Sequence, residues 1–141
     1  MRVILDPHCP DIIGDPTQLR QVFHNLLQNA QDATLEGSHQ NEPVRVKTEL
    51  VPYGEANGIM QNAVRLTISD SGSGFPAKIL ARAFEPYVTT KSKGTGLGLA
   101  VVKKIIEDHS AKIEIRNRMQ GEEVIGAKVS ILFMNLAKEA A

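Results

Sequence analysis

The chain has 141 residues, enough for one domain with a real core. Sixteen Lys and Arg balance sixteen Asp and Glu, which argues against a polybasic nucleic-acid binder, so no nucleic-acid partner is expected. No apolar run approaches the roughly 18 residues that span a bilayer, the N-terminus turns polar too early for a signal peptide, and Cys9 is the single cysteine. No membrane contact and no disulfide are therefore expected, and a reducing compartment is the default.

Val3–Leu5 reads as a short edge strand. A well-marked helix follows. Asp15 suits its N-cap, Pro16 its first position, and Gln18 stands at capping-box spacing. Leu19, Val22, Phe23, Leu26, Leu27, Ala30 and Ala33 repeat with a helical period, and the helix should stop near Gly37. Val44–Val51 and Val64–Ser69 read as strands. Between them PYGEANG looks like a long hairpin loop. Pro76–Ala83 reads as a short helix and residues 84–96 as a loop without period. Leu97–His109 is a second strong helix, with Leu97, Val101, Val102, Ile105 and Ile106 on one face. Lys112–Arg116 and Ala127–Phe133 read as closing strands, and 135–141 as a fraying tail.

The order β-α-β-β-α-loop-α-β-β is not the alternation of a parallel doubly wound sheet. It predicts two antiparallel hairpins in a mixed, largely antiparallel sheet with helices on one face. The fold class is a two-layer α/β (α+β) sandwich. The whole chain, 1–141, reads as one domain with its core at about 14–134.

Three groups of residues have chemical potential. On the first helix, Asn25, Asn29 and Asp32 fall roughly 220–280° around from Leu19, along one border of the apolar stripe. Two amides four residues apart can share one cleft, and an amide oxygen suits Mg²⁺. Solvated surface amides are the plainer reading of that pair alone. Next, Asp70-Ser71-Gly72-Ser73-Gly74-Phe75-Pro76 follows a strand. Its carboxylate could accept from an exocyclic amine, and its glycines let backbone approach a flat ligand. In isolation it is also a turn-forming Asp. Third, Gly94-Thr95-Gly96-Leu97-Gly98-Leu99 leads into a helix N-terminus, where free N–H groups and the helix dipole favour anions. It matches neither the P-loop nor the dinucleotide fingerprint. From Arg82 to Lys104 five cations face one acid, Glu85, so glycine and positive charge share a stretch. A basic surface loop is the alternative.

In this order and spacing, NLLQNA, DSGSGFP, AFEPYVTTK and GTGLGLA resemble the N, G1, F and G2 boxes of sensor histidine kinases. These belong to the ATPase superfamily shared with type II topoisomerases, heat-shock chaperones and mismatch-repair MutL proteins. The resemblance spans about residues 14–134, and GTGLGLAVVKKIIEDH points to the kinase branch. FEPYVTTK with GTGLGLAVVKKI looks like the nitrogen-regulation type.

The resemblance implies the Bergerat-type ATP-binding fold and a set of roles. Asn29 would coordinate the Mg²⁺ that bridges ATP phosphates. Asn25 stands where other branches carry a water-activating Glu, which fits phosphotransfer better than hydrolysis. Asp70 would read the adenine amino group, with Gly72 and Gly74 shaping the base pocket. Phe84 to Thr95, including Thr90, Lys91 and Lys93, would form a lid over ATP. Gly94, Gly96 and Gly98, with the amides of Leu97 and Leu99, would cradle the phosphates.

The pattern departs from the family at Ala33, where an adenine-stacking aromatic is common, at Ser110-Ala111, and at Gly126-Ala127, where Gly-Thr is common. The phosphoacceptor histidine is expected on a separate dimerising hairpin. His24, inside the N-box helix, is not expected to be that acceptor. The implied activity is Mg-ATP-dependent transfer of a γ-phosphate to that histidine, with a response regulator downstream. The implied setting is cytoplasmic, the fragment monomeric and its parent dimeric. Rival readings are a nucleotide-gated interaction module and a clamp-type ATPase; Asn rather than Glu at position 25 weighs against the clamp.

Overall fold

The computed structural model describes residues 2–37, 41–54, 58, 60–82, 84 and 98–136. Its elements run β1 (Arg2–Ile4), α1 (Pro16–Glu36), β2 (Arg45–Gly54), β3 (Met60–Ser69), α2 (Ala77–Leu80), α3 (Gly98–Asp108), β4 (Lys112–Gln120) and β5 (Glu123–Phe133). The strands make one five-stranded sheet in the order β1-β2-β3-β5-β4. β1 lies parallel to β2, and every other neighbouring pair is antiparallel. α1 packs on β3 and β5, α3 packs on the edge strand β4, and the two helices pack on each other, which gives the expected two-layer sandwich.

Alternation along the strands decides which face is covered. Val64, Leu66 and Ile68 of β3 and Ile131 and Phe133 of β5 point to the helices. They meet Leu19, Val22, Leu26 and Ala30 of α1 and Val102, Ile105 and Ile106 of α3. Fully burying one such side chain contributes about 1.5–3 kcal/mol. The opposite sheet face carries Arg45, Lys47, Arg65, Thr67, Lys128 and Ser130, and among the described residues no helix packs over it. Among the described residues no helix is long and apolar enough to cross a membrane.

α1 begins as its sequence dictates. Asp15 Oδ1 accepts from the N–H groups of Thr17 at 2.9 Å and Gln18 at 3.2 Å, and Pro16 follows the cap. The capping box itself is not closed by Gln18. The N–H of Asp15 donates instead to His109 Nε2, at 2.9 Å, because the end of α3 packs beside the start of α1. Gly37 ends the helix with its N–H on the Thr34 carbonyl, 3.3 Å away.

Both hairpins are longer than the sequence reading. Pro52, Tyr53 and Gly54 belong to β2, opposite Asn62, Gln61 and Met60. β1 pairs only with Arg45, Val46 and Lys47, so β2 is an edge strand at Pro52, where a missing donor is tolerated. In the other hairpin, β4 continues through Asn117 and Arg118 to Gln120, with a register shift between Arg118 and Met119. The turn is Gly121-Glu122, and Gly121 has φ +62°, which a two-residue hairpin requires of its first residue. β1 covers Arg2–Ile4 rather than Val3–Leu5, and the short helix shrinks to Ala77–Leu80. The tail is tied down at its start. Leu136 bridges to Ile12, and the N–H of Ile13 donates to the Asn135 carbonyl at 3.0 Å.

Candidate functional site

Asp70 follows the last residue of β3, and its side chain is only 7% exposed. Its backbone N–H continues the sheet, donating to the Ala127 carbonyl at 2.9 Å. Its Oδ1 accepts from the N–H groups of Gly72 and Ala127, each at 3.0 Å. Among the described residues Oδ2 takes no protein hydrogen bond. Loss of water pushes the Asp70 carboxyl above the usual carboxylate range. The two N–H donors and the nearby Arg118 guanidinium oppose that shift without cancelling it.

The backbone around Asp70 is packed to the limit. Gly126 of β5 sits against the Asp70 carbonyl, at φ +152°, so no side chain fits there. Arg118 Nη1 donates to the same carbonyl at 2.6 Å. The Gly72 backbone lies on Ala33 of α1: a Cβ at 72 would stand 2.5 Å from the Ala33 oxygen. Thr34 ties the two elements together. Its Oγ1 donates to the Ala30 carbonyl at 3.0 Å and accepts from the N–H of Ser71 at 3.2 Å. Further along, the Asn117 amide clamps Phe75 by both backbone groups. Its Oδ1 accepts from the Phe75 N–H and its Nδ2 donates to the Phe75 carbonyl, both at 2.8 Å. Gly74, at φ +76°, is pressed against that same Asn117 side chain.

α1 carries the site's other end. Asn25 and Asn29 are half-buried on the border of its apolar stripe, as their spacing predicts. Gly98 opens α3 beside them: a Cβ there would lie 3.3 Å from Asn25 Oδ1. Asn29 stands one turn from Asn25, between the Gly98 contact and the Ala33–Gly72 contact. From Asn25 to Ala33 the helix rises about 12 Å. The first N–H groups of α3, which begins at Gly98, lack intrahelical partners.

The structure thus gathers Asn25, Asn29, Asp70, Gly72 and Gly98 along one border of α1. Gly74 shapes the loop from the far side rather than facing α1. The Leu99 side chain packs on the core. Phe84 is half-buried, with Lys103 Nζ 5.2 Å from its ring centre. Thr90, Lys91, Lys93, Gly94, Thr95, Gly96 and Leu97 lie outside the described residues. Sequence reasoning missed Thr34, Asn117 and Arg118. Thr34 had a legible signal: a hydroxyl at the buried period of an amphipathic helix. Asn117 and Arg118 looked like ordinary polar strand residues.

Among the described residues no three His, Cys, Asp or Glu side chains gather at metal-binding distance. A cation here would rest on Asn29 and on oxygens brought by the ligand, which suits Mg²⁺ rather than a closed protein cage.

Comparison with known proteins agrees with the fold. Residues 14–137 match the model of the histidine kinase-, DNA gyrase B- and HSP90-like ATPase family. A Rickettsia bellii protein named as an NtrY-like sensor histidine kinase is 39% identical over 121 residues. That match takes in 86% of this chain and 18% of the relative, so the chain spans under a fifth of that protein's length. The catalytic domain of histidine kinase ThkA superposes with a TM-score of 0.70 at 30% identity, covering 94% of this chain and 76% of that one. Full-length ShkA in complex with AMPPNP gives a TM-score of 0.65 at 26% identity, covering 99% of this chain and 26% of that one. With a family match over most of its length, and a sensor kinase and a kinase catalytic domain among its relatives, the chain belongs to the histidine kinase-, DNA gyrase B- and HSP90-like ATPases.

Proposed function

We propose that this domain binds Mg-ATP and donates the γ-phosphate to a histidine carried by a separate domain of a two-component sensor kinase. The observation that carries the reading is Asp70: a buried carboxylate with one oxygen pinned by two main-chain donors and the other left for a ligand. Ionised, it is an acceptor only, which matches the exocyclic amine of adenine and rejects a carbonyl at that place. The ShkA complex holds an ATP analogue, which supports the same ligand class here.

Each residue then has a task. Asp70 reads the base, and Gly72 keeps the pocket floor thin against Ala33. The start of α3 offers free N–H groups to phosphates, and Gly98 leaves room beside Asn25 for them to approach. Asn29 is the residue that would hold Mg²⁺, whose charge neutralises the phosphate oxygens when it is bound. Asn25 carries no carboxylate, so it orients rather than takes a proton from water, and slow hydrolysis follows. In the transfer an imidazole nitrogen of the acceptor attacks the γ-phosphorus. The bond from that phosphorus to the bridging oxygen breaks, and ADP leaves. Catalysis is positioning and charge neutralisation.

In this reading all 141 residues form one ATP-binding unit, which works in the cytoplasm as a monomer within a dimeric parent. The lid runs from Phe84 to Thr95. Its Thr90, Lys91, Lys93, Gly94 and Thr95 close over the phosphates, and a response regulator receives the phosphoryl group downstream.

The test is calorimetric titration with a non-hydrolysable ATP analogue, with and without Mg²⁺. Saturable, Mg²⁺-enhanced binding is expected, and Asn29→Ala should lose the Mg²⁺-dependent part. Absence of binding at high analogue concentration would sink the proposal. Joined to a histidine-bearing hairpin domain, the chain should form acid-labile phosphohistidine; nucleotide binding without any phosphohistidine would favour the gated-module reading.

A further inference from the structure

The helix-free face of the sheet carries an arrangement that the nucleotide site does not use. Strand register places Arg2, Arg45, Ser69, Lys128 and Arg116 side by side, one from each of the five strands. Four of the five are cations. Arg2 is directly opposite Arg45, and Lys128 directly opposite Arg116. Like charges in facing positions destabilise a sheet, so this row works against the fold that bears it. Arg116 is relieved by an ion pair with Glu114. Among the described residues Arg2, Arg45 and Lys128 have no carboxylate within ion-pair distance. The next row adds Lys47, and Glu49 on the same face is engaged by Arg65 at 3.5 Å. The face is concave, with a groove of about 480 Å³. A local rule broken without compensation inside the fold is where a partner is to be looked for.

We propose that this face docks an acidic helix of a partner protein. The row is about 19 Å long, four strand spacings of roughly 4.8 Å. A helix lying along it repeats every 5.4 Å or so, so carboxylates one turn apart meet Arg2 and Arg45, and a second such pair, two turns further on across Ser69, meets Lys128 and Arg116. Arg supplies three of the four cations, and its planar fork matches a carboxylate. A nucleic acid fits less well. Among the described residues no aromatic side chain lines the groove to stack a base, and its two acids, Glu49 and Glu114, are already engaged by Arg65 and Arg116. The face lies on the opposite side of the sheet from α1, so a docked helix leaves the nucleotide site open.

The test uses this chain and a synthetic helical peptide of about 16 residues, long enough to cross the row. One peptide carries Glu on a single face, and its control carries Gln at the same positions. Saturable, salt-sensitive binding of the Glu peptide alone is expected. In Arg45→Glu/Lys128→Glu the affinity should fall roughly tenfold, with ATP-analogue binding unchanged. Lys128→Gln tests the same row more gently and should raise thermal stability while weakening the peptide. No saturable binding, equal binding of the Gln peptide, or unchanged affinity in the double variant would each overturn the proposal. Displacement of the Glu peptide by oligothymidylate at lower concentration would overturn it too, in favour of a nucleic-acid face.

Discussion

The backbone N–H of Asp15 donates to Nε2 of His109 at 2.9 Å, across 94 positions of sequence. The other ring nitrogen, Nδ1, donates to the Ile105 carbonyl at 2.7 Å, so the imidazole is held as its Nδ1–H tautomer. One side chain therefore closes the C-terminal turn of α3 and caps the start of α1. Its loss should lower stability without touching the nucleotide end of either helix. His109→Ala is expected to cost about 1 kcal/mol, because Asp15 can turn to water. Urea denaturation measures it, and ATP-analogue affinity should stay as it was.

The same junction gives a coupled pair. A Cβ on Gly14 would stand 2.6 Å from His109 Cδ2 and 2.9 Å from Leu19 Cδ1. Gly14→Ala alone should cost about 1–3 kcal/mol from overpacking. In the His109→Ala background part of that penalty should vanish, since one of the two obstacles is gone. Strict additivity in the double-mutant cycle would show that the ring does not occupy that space.

Asp70→Asn separates folding from recognition. The amide keeps an oxygen for the Gly72 and Ala127 donors and removes a poorly hydrated charge. The wild-type carboxyl has its folded pKa raised by burial, so the native state holds its proton more tightly than the unfolded chain. Stability of the wild type then declines as pH rises from the ordinary carboxylate range through the folded pKa. The variant lacks this decline. Its advantage should be largest at neutral pH and close on acidification. ATP-analogue affinity and the preference over a guanine nucleotide should both fall, because an amide donor now faces the base amine. Melting curves across pH, with parallel titrations, check both halves.

Asn117→Leu should loosen the loop from Asp70 to Pro76. Both Phe75 backbone groups lose their partner, for an expected cost of about 1–3 kcal/mol. Nucleotide affinity should drop with it, since the residues between Asp70 and Phe75 include Gly72. Hydrogen exchange at the Phe75 amide reads the loosening directly. Protection equal to wild type would count against the clamp.

Gly98→Ala puts a methyl group 3.3 Å from Asn25 Oδ1. Asn25 can swing aside, and alanine suits a helix better than glycine by about 1 kcal/mol. Stability should therefore hold or rise slightly. Phosphate-end affinity should fall, visible as weaker binding of the triphosphate with little change for adenosine. An equal loss for both ligands would place Gly98 at the wrong end.

The two long helices and the two antiparallel hairpins were legible because buried faces impose a period, and Leu19-Val22-Leu26-Ala30 displays it openly; that β1 lies parallel to β2 and that β5 stands between β3 and β4 was not. Strand ends were not legible. Pro52 and Gly54 carry turn chemistry, yet they sit in β2 where it has become an edge and the ladder tolerates them. Gly126 reads as a breaker and lies inside β5, because the Asp70 carbonyl occupies the space of its side chain. In the site, Asp70 and the two asparagines were each equivocal alone and stood out only through their order and spacing with the glycine-rich motifs. Thr34, Asn117 and Arg118 did not, since what they bond to lies 37 to 48 positions away in sequence. Contacts of that kind exist only once the sheet has formed.

The clamp on Asp70 is made of main-chain N–H groups. Any residue except proline can supply such a donor at position 127, so alanine there holds the carboxylate as well as threonine would. Under the proposed function, the direction in which the domain reads its ligand is thereby written into the shape of the β3–β5 ladder rather than into a neighbouring side chain. Drift in composition around the pocket can retune affinity while the reading head keeps its aim.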